Sequence, residues 1–173
     1  MNQADRELIS QATAALRIRD VMLNQCSFSR PTPPPANLES VQVEQLTKQT
    51  VQYVLGEAPD SDGQLSKLLQ VIVGLGVRIT GMEAEIAPIY FEIEADFLVE
   101  YEMVAEVSEG AIKLFADHNS VHNVWPFWRQ HVFDVVSRGR LPRLEVPLYS
   151  VSIARAESGK IGADSTTGGA ALG

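Results

Sequence analysis

A single cysteine, Cys26, occurs in the 173 residues, so no intrachain disulfide can form and a reducing compartment is expected. No histidine lies near it in sequence to activate it, and a lone cysteine behaves mainly as a small hydrophobe. Basic residues are scarce: 14 Lys and Arg stand against 22 Asp and Glu, for a formal net charge of −8. That balance lacks the basic patch of a nucleic-acid binder and disfavours anionic membrane surfaces. No apolar run approaches the roughly 18 residues of a membrane span. The opening residues MNQADRELISQ lack the basic and apolar regions of a signal peptide. The expectation is a cytoplasmic protein with no nucleic-acid partner and no membrane insertion. Phosphate-binding loops are missing as well, since GLGVRITG and TTGGAALG carry neither the Lys-Ser/Thr pair nor the following helix. No Ser-His-Asp set can be positioned from the sequence, and no cofactor is implied.

What is present suits one domain with a real core, at 45% hydrophobic residues. Residues 1–12 read as a flexible arm or a short frayed helix, 13–150 as the folded domain, and 151–173, rich in Gly, Ala, Ser and Thr, as a flexible tail. Within 13–28, Leu16 and Ile18 share one parity while Val21 and Leu23 take the other, the pattern of a bulged strand. PTPPPAN at 31–37 is a stiff extended connector. Residues 38–55 fit an interrupted strand, with a helix over 38–52 as the competitor; Gly56–Gly63 reads as a polar turn. Two stretches alternate cleanly. In 65–80, Leu69, Val71, Val73, Leu75, Val77 and Ile79 share a face, and in 89–103 so do Ile89, Phe91, Ile93, Ala95, Phe97, Val99, Tyr101 and Met103. Residues 106–117 carry a first helix with Ser108 as a possible N-cap, and DHNSVHN links it to a second.

That second helix organises the chain. Asn123 suits its N-cap, Pro126 its first turn, Gly139 its C-terminal stop, and Pro142 bars continuation. Val124, Trp128, Val132, Val135 and Val136 make an apolar stripe. Strands followed by helices predict an α+β fold: an antiparallel meander of about four strands with two helices packed on one side.

Several elements resemble SecB-type protein-export chaperones. They are Trp125-Pro126-Phe127-Trp128-Arg129, then Val136-Ser137-Arg138-Gly139, Leu141-Pro142 and Leu144, with a first strand ending in Ser27-Phe28 before Pro31. The resemblance covers about residues 13–150. It implies the same α+β architecture and no enzymatic activity. It further implies a homotetramer built as a dimer of dimers, and apolar grooves that hold unfolded or precursor polypeptides without ATP. Candidate client or oligomer contacts are Trp125, Phe127, Trp128, Phe133, Leu141 and Leu144. Trp125 and Phe133 cannot share the stripe of Trp128 and Val132, so a second helix surface is either covered in an oligomer or left open. Tyr90-Phe91-Glu92 best matches the patch with which the family docks the translocation ATPase SecA, giving Tyr90 and Glu92 as docking candidates. The family's acidic residues at the end of the first strand fall at Gln25 and Ser29, both neutral here. That departure tilts the reading toward a SecB-like relative over a standard export chaperone; the client is either general secretory precursors or a dedicated partner such as an antitoxin.

Two enzymatic readings compete. Asp117, His118 and His122 offer two histidines four residues apart beside an acid, which on a continuous helix can face a metal. Asn119 and Ser120, however, suggest that the helix ends there, and no His-Glu-x-x-His motif exists. Glu92, Glu94 and Asp96, about 7 Å apart on alternate strand positions, can be read as acid–base carboxylates or as a solvated sheet face. A small α+β enzyme using either set is the alternative to a chaperone.

Overall fold

The computed structural model describes residues 2–33, 41–59, 63–82, 86–142 and 144–149. The tail expected over 151–173, most of the Pro-rich connector and the centres of two turns lie outside them. Four antiparallel strands form one sheet: β1 (Leu16–Ser29), β2 (Val43–Pro59), β3 (Leu65–Gly81) and β4 (Ile89–Met103), in the order β1-β4-β3-β2. Only β2, β3 and β4 make a meander. β1 lies beyond β4, so the connection after β1 returns along the sheet to its far edge, a Greek-key order. Of the stretch 38–55, residues from Val43 onward are strand, not helix; residues 38–40 lie outside the described ones. Gly56–Pro59, expected as turn, stay paired with Leu65–Leu68, and the chain turns later, around Gly63 at φ 78.

The alternation of β3 and β4 sets the core. Val71, Val73, Ile93 and Val99 are fully buried on one face. The opposite face carries Glu92, Glu94 and Glu100, bonded across strands by Arg78 (Nε, 2.8 Å), Lys48 (2.8 Å) and Gln70 (2.7 Å). At Gly74 that face admits Thr50 and Asp96 so closely that a Cβ would strike the Thr50 hydroxyl. β1 slips register between Ile18 and Asp20 and again between Leu23 and Gln25, so the expected bulge is in fact two. Their effect is to put Ile18, Val21, Leu23 and Phe28 opposite Tyr101, Val99, Phe97 and Ile93, all on the helix side of the sheet.

The N-terminal stretch is a helix, α1 (Gln3–Ala15), longer than a frayed turn. Asn2 accepts from the Asp5 amide (2.8 Å), and Asp5 accepts in return from the Asn2 amide (3.1 Å), satisfying two otherwise orphaned donors. Ala12 and Ala15 are buried and the helix packs on α2 (Glu109–Phe115). Ser108 caps α2 as expected.

The linker expected between the two later helices does not exist. α2 continues through a π-helical turn, Ala116–Ser120, into α3 (Val121–Gly139). Asn123 is therefore not a cap, and Pro126 sits inside a continuous helix rather than in its first turn. Its ring forfeits the bond to the carbonyl of His122, an exposed residue where water can satisfy it. The π turn absorbs a residue of helical phase, so that Phe115 before it, Ala116 at its start and Val121, Val124, Trp128 and Val132 after it all reach the core.

The end of α3 also differs from expectation. Arg140, not Gly139, takes the left-handed conformation, at φ 48. The Leu141 amide donates to the Val136 carbonyl (3.0 Å) and the Arg140 amide to Ser137 (3.3 Å), a Schellman closure. Gly139 sits in close quarters: a Cβ there would lie 3.2 Å from the Leu141 side chain, which would have to shift slightly, and 3.5 Å, ordinary contact, from the Phe28 ring. The Arg30 guanidinium donates to the Gly139 carbonyl, placing a cation at the helix C-terminus and tying the end of β1 to α3.

Replacing Arg140 with glycine should raise stability by about 0.5–1 kcal/mol. Removal of left-handed strain outweighs the extra chain entropy of glycine. A urea titration that gives a lower midpoint for R140G than for the parent chain would contradict this assignment.

Candidate functional site

α3 presents two apolar stripes and the sheet accepts one. Val121, Val124, Trp128 and Val132 are buried against it. Trp128, 3% exposed, is thus a core residue, which removes it from the surface that a client could touch in the single chain. The flank beside that stripe carries Trp125, Arg129, Phe133 and Val136. Phe133 is 65% exposed. Phe127, 49% exposed, is a separate exposed aromatic on the same helix.

Beyond the Schellman turn, residues 144–149 lie along this flank, in neither helix nor sheet. The Arg129 side chain donates from Nε to the Val146 carbonyl (3.1 Å), and the Trp125 indole donates to the Pro147 carbonyl (2.8 Å). Tyr149 packs on the Trp125 ring at 5.2 Å between centroids. Between helix and returning segment lies an open cleft of about 1130 Å³, with Val132, Phe133 and Val136 on one wall, Leu141, Leu144 and Val146 on the other, and Arg129, Gln130, Arg140 and Glu145 adding polar lining. On the far side, Trp125, Trp128, Val146 and Pro147 meet Gln45, Thr47 and Gln49 of β2 around a smaller space of about 40 Å³. Phe133, Leu141, Leu144 and Trp125 are therefore brought to one region. The part that sequence reasoning missed is residues 146–149 as a wall of that region, held by their main-chain carbonyls. Val-Pro-Leu-Tyr after a helix stop was the available signal.

The docking candidates lie elsewhere. Ile79 pairs with Phe91 and Thr80 with Ile89, so Tyr90 is the extra residue of a bulge at the start of β4; it is 7% exposed. Glu92 is half-buried and held by Arg78. Gln25 and Ser29 lie exposed on β1 opposite Asp96 and Glu92.

Neither enzymatic reading gains a constellation. The carboxylates of β4 are spread along an open sheet face and engaged by cross-strand partners. Lys48 is held above its ordinary pKa chiefly by its bond to Glu94. His118 and His122 lie on a continuous helix, contrary to the expected break. His118 is half-buried in the π turn, while His122 is exposed and faces the Tyr149 ring at 6.0 Å. Among the described residues, no group of three His, Cys, Asp or Glu side chains converges as a metal site would require. His131 stacks on Trp128 at 6.1 Å, and burial lowers its pKa against the opposing pull of Asp134. Cys26 is exposed on β1. No described helix is long and apolar enough to cross a membrane.

No family model matches the chain, and no curated protein does. The fold does have a counterpart among solved structures. The chain superposes on a SecB-like chaperone of Mycobacterium tuberculosis, solved in complex with a ChAD peptide from the HigA1 antitoxin, with a TM-score of 0.62 at 16% identity. The match covers 83% of this chain and 97% of that one. The fold is thus SecB-like: a four-stranded antiparallel sheet with helices packed on one side.

The two stripes of α3 should separate by mutation. Trp128→Ala is expected to cost about 3–5 kcal/mol of folding free energy, as a large core truncation does, while Phe133→Ala should stay within about 0.5 kcal/mol. Equal losses in chemical denaturation would mean that Phe133 is sealed inside the folded unit.

Proposed function

We propose that the chain is an ATP-independent holdase chaperone that shelters extended, unfolded polypeptide segments along the outer flank of α3. The observation that carries this reading is the open cleft of about 1130 Å³ between α3 and its returning segment, apolar over the greater part of its lining. Among the described residues, no three His, Cys, Asp or Glu side chains converge as a metal site would require. Each client Leu or Phe buried there contributes roughly 1.5–3 kcal/mol, and side-by-side grooves in an oligomer add avidity without fixing a client sequence. The acidic surface keeps a loaded complex soluble and favours basic clients.

Other exposed apolar residues support a homotetramer arranged as a dimer of dimers. Ile18 and Leu23 on β1 are 53% and 51% exposed, and Val54 and Leu55 on β2 are 59% and 57% exposed. They lie on the two edge strands, whose unpaired main-chain groups invite another chain. Trp125, Phe127, Phe133, Leu141 and Leu144 are the client or oligomer contacts; Trp128 supports them from beneath.

A dedicated client, of the kind an antitoxin represents, is preferred over general export precursors. The structural neighbour was solved with an antitoxin peptide. The folding of Tyr90 into a bulge, together with neutral Gln25 and Ser29, weighs against a SecA-type dock on that patch. The protein is read as cytoplasmic and as lacking enzymatic activity.

Purified protein at several-fold molar excess should suppress aggregation of a refolding substrate without nucleotide, and Phe133→Ser should weaken that suppression several-fold. Light scattering on the same sample should give a mass near four times the 19.0 kDa chain. A stable monomer that leaves aggregation unchanged would refute the reading.

A further inference from the structure

We infer that residues 144–149 are an internal ligand, occupying a site on α3 built to hold the main chain of any extended apolar peptide, and that clients must displace them. This rests on the holdase reading and gives it a regulatory consequence.

Val146 and Pro147 are gripped through their carbonyl oxygens, by Arg129 Nε and Trp125 Nε1, not through side-chain chemistry. Every polypeptide carries such acceptors at the same spacing, so the two donors can serve a foreign strand as they serve the resident one. The donors are side chains of a rigid helix, whereas the acceptors belong to a segment in neither helix nor sheet. Pro147 has no amide hydrogen to lose in such a site. The side chains add apolar contact: Leu144 and Val146 line the cleft and Tyr149 lies on the Trp125 ring. Leu-Glu-Val-Pro-Leu-Tyr is thus the sequence of a weak apolar peptide ligand, tethered beside its own site.

A tethered ligand acts at high effective concentration. A client therefore meets a site that is open only in the fraction of molecules whose segment has lifted, and its apparent dissociation constant is raised by that fraction. The arrangement keeps Trp125 half-covered until a client arrives, while the cleft beside Phe133 stays open. The chemical class of ligand is an extended stretch rich in aliphatic and aromatic side chains that tolerates proline.

The test is a titration of an end-blocked LEVPLY peptide into the full chain and into a V146D variant, whose acid favours solvent over the apolar wall. Trp125 emission and calorimetry report binding, and melting curves confirm that each chain is folded. V146D is expected to bind the peptide at least tenfold more tightly than the parent chain. Adding Trp125→Phe, which keeps a ring but removes the indole donor, should weaken peptide binding to V146D about five- to tenfold, the worth of one hydrogen bond. Tyr149→Ala provides a second, milder release should V146D fold poorly, with the same direction of effect. Equal peptide affinity for parent and released chains would overturn the inference, as would indifference to Trp125→Phe. The titration does not require holdase activity. If released chains bind the peptide but no chain suppresses aggregation, the internal-ligand site stands and the holdase reading falls. If the parent chain suppresses aggregation but releasing the segment neither improves it nor exposes a peptide site, the segment is a fixed wall and the inference falls alone.

Discussion

A helix lying on a flat sheet can bury one stripe of side chains, roughly a third of its circumference, and α3 carries more apolar surface than that. Trp128 and its neighbours at positions 121, 124 and 132 fill the available contact with β3 and β4. Trp125, Phe133 and Val136 then remain on a flank that no second layer covers. The sheet cannot help, because its other face is committed to cross-strand pairs of Glu92, Glu94 and Glu100. What the molecule does with this surplus is fold its own chain back along the flank, and the fit is partial: a cleft remains open beside Phe133.

The same limit explains β1. Two bulges turn Ile18, Leu23 and Phe28 toward the helix side, yet the helices do not reach far enough to cover them, and they stay 41–53% exposed. Bulges are costly to a ladder and persist where a particular side-chain direction is needed. Apolar residues directed to one face and then left uncovered are consistent with a surface that another chain completes. Arg30, bonding the Gly139 carbonyl, ties this strand to the end of α3, so the two uncovered regions form parts of one rigid frame.

How much of this was legible follows from which signals are local. The alternation of β3 and β4 was plain because one face is uniformly aliphatic, and the core list follows from it. The class of fold was legible for the same reason. The strand order was not, because nothing in residues 13–28 says which neighbour they pair with. The break expected at Asn119-Ser120 was a local propensity overridden by packing: a π turn lets helix-averse residues remain helical while core residues on both sides keep their contacts. Glycine favours left-handed backbone and so points to Gly139 as the helix stop, but the left-handed residue is Arg140; Gly139 instead lies close to Leu141 and Phe28, which no sequence pattern reports. At the site, Phe133, Leu141 and Leu144 were legible as surplus apolar residues. Trp128 was not separable from Trp125 by spacing alone, although one is core and the other lies under the returning segment. The grip of Arg129 and Trp125 on main-chain carbonyls was invisible, since carbonyls carry no sequence signature.

The central claim is that the outer flank of α3 is a surface kept for other polypeptide chains. Amide hydrogen exchange followed by mass spectrometry, with and without a saturating unfolded client, tests it most directly. The account predicts that client changes exchange within residues 121–149 while the centre of β3 and β4 keeps its protection unaltered. An exchange pattern indifferent to client along α3, or one altered only on the acidic sheet face, would contradict it.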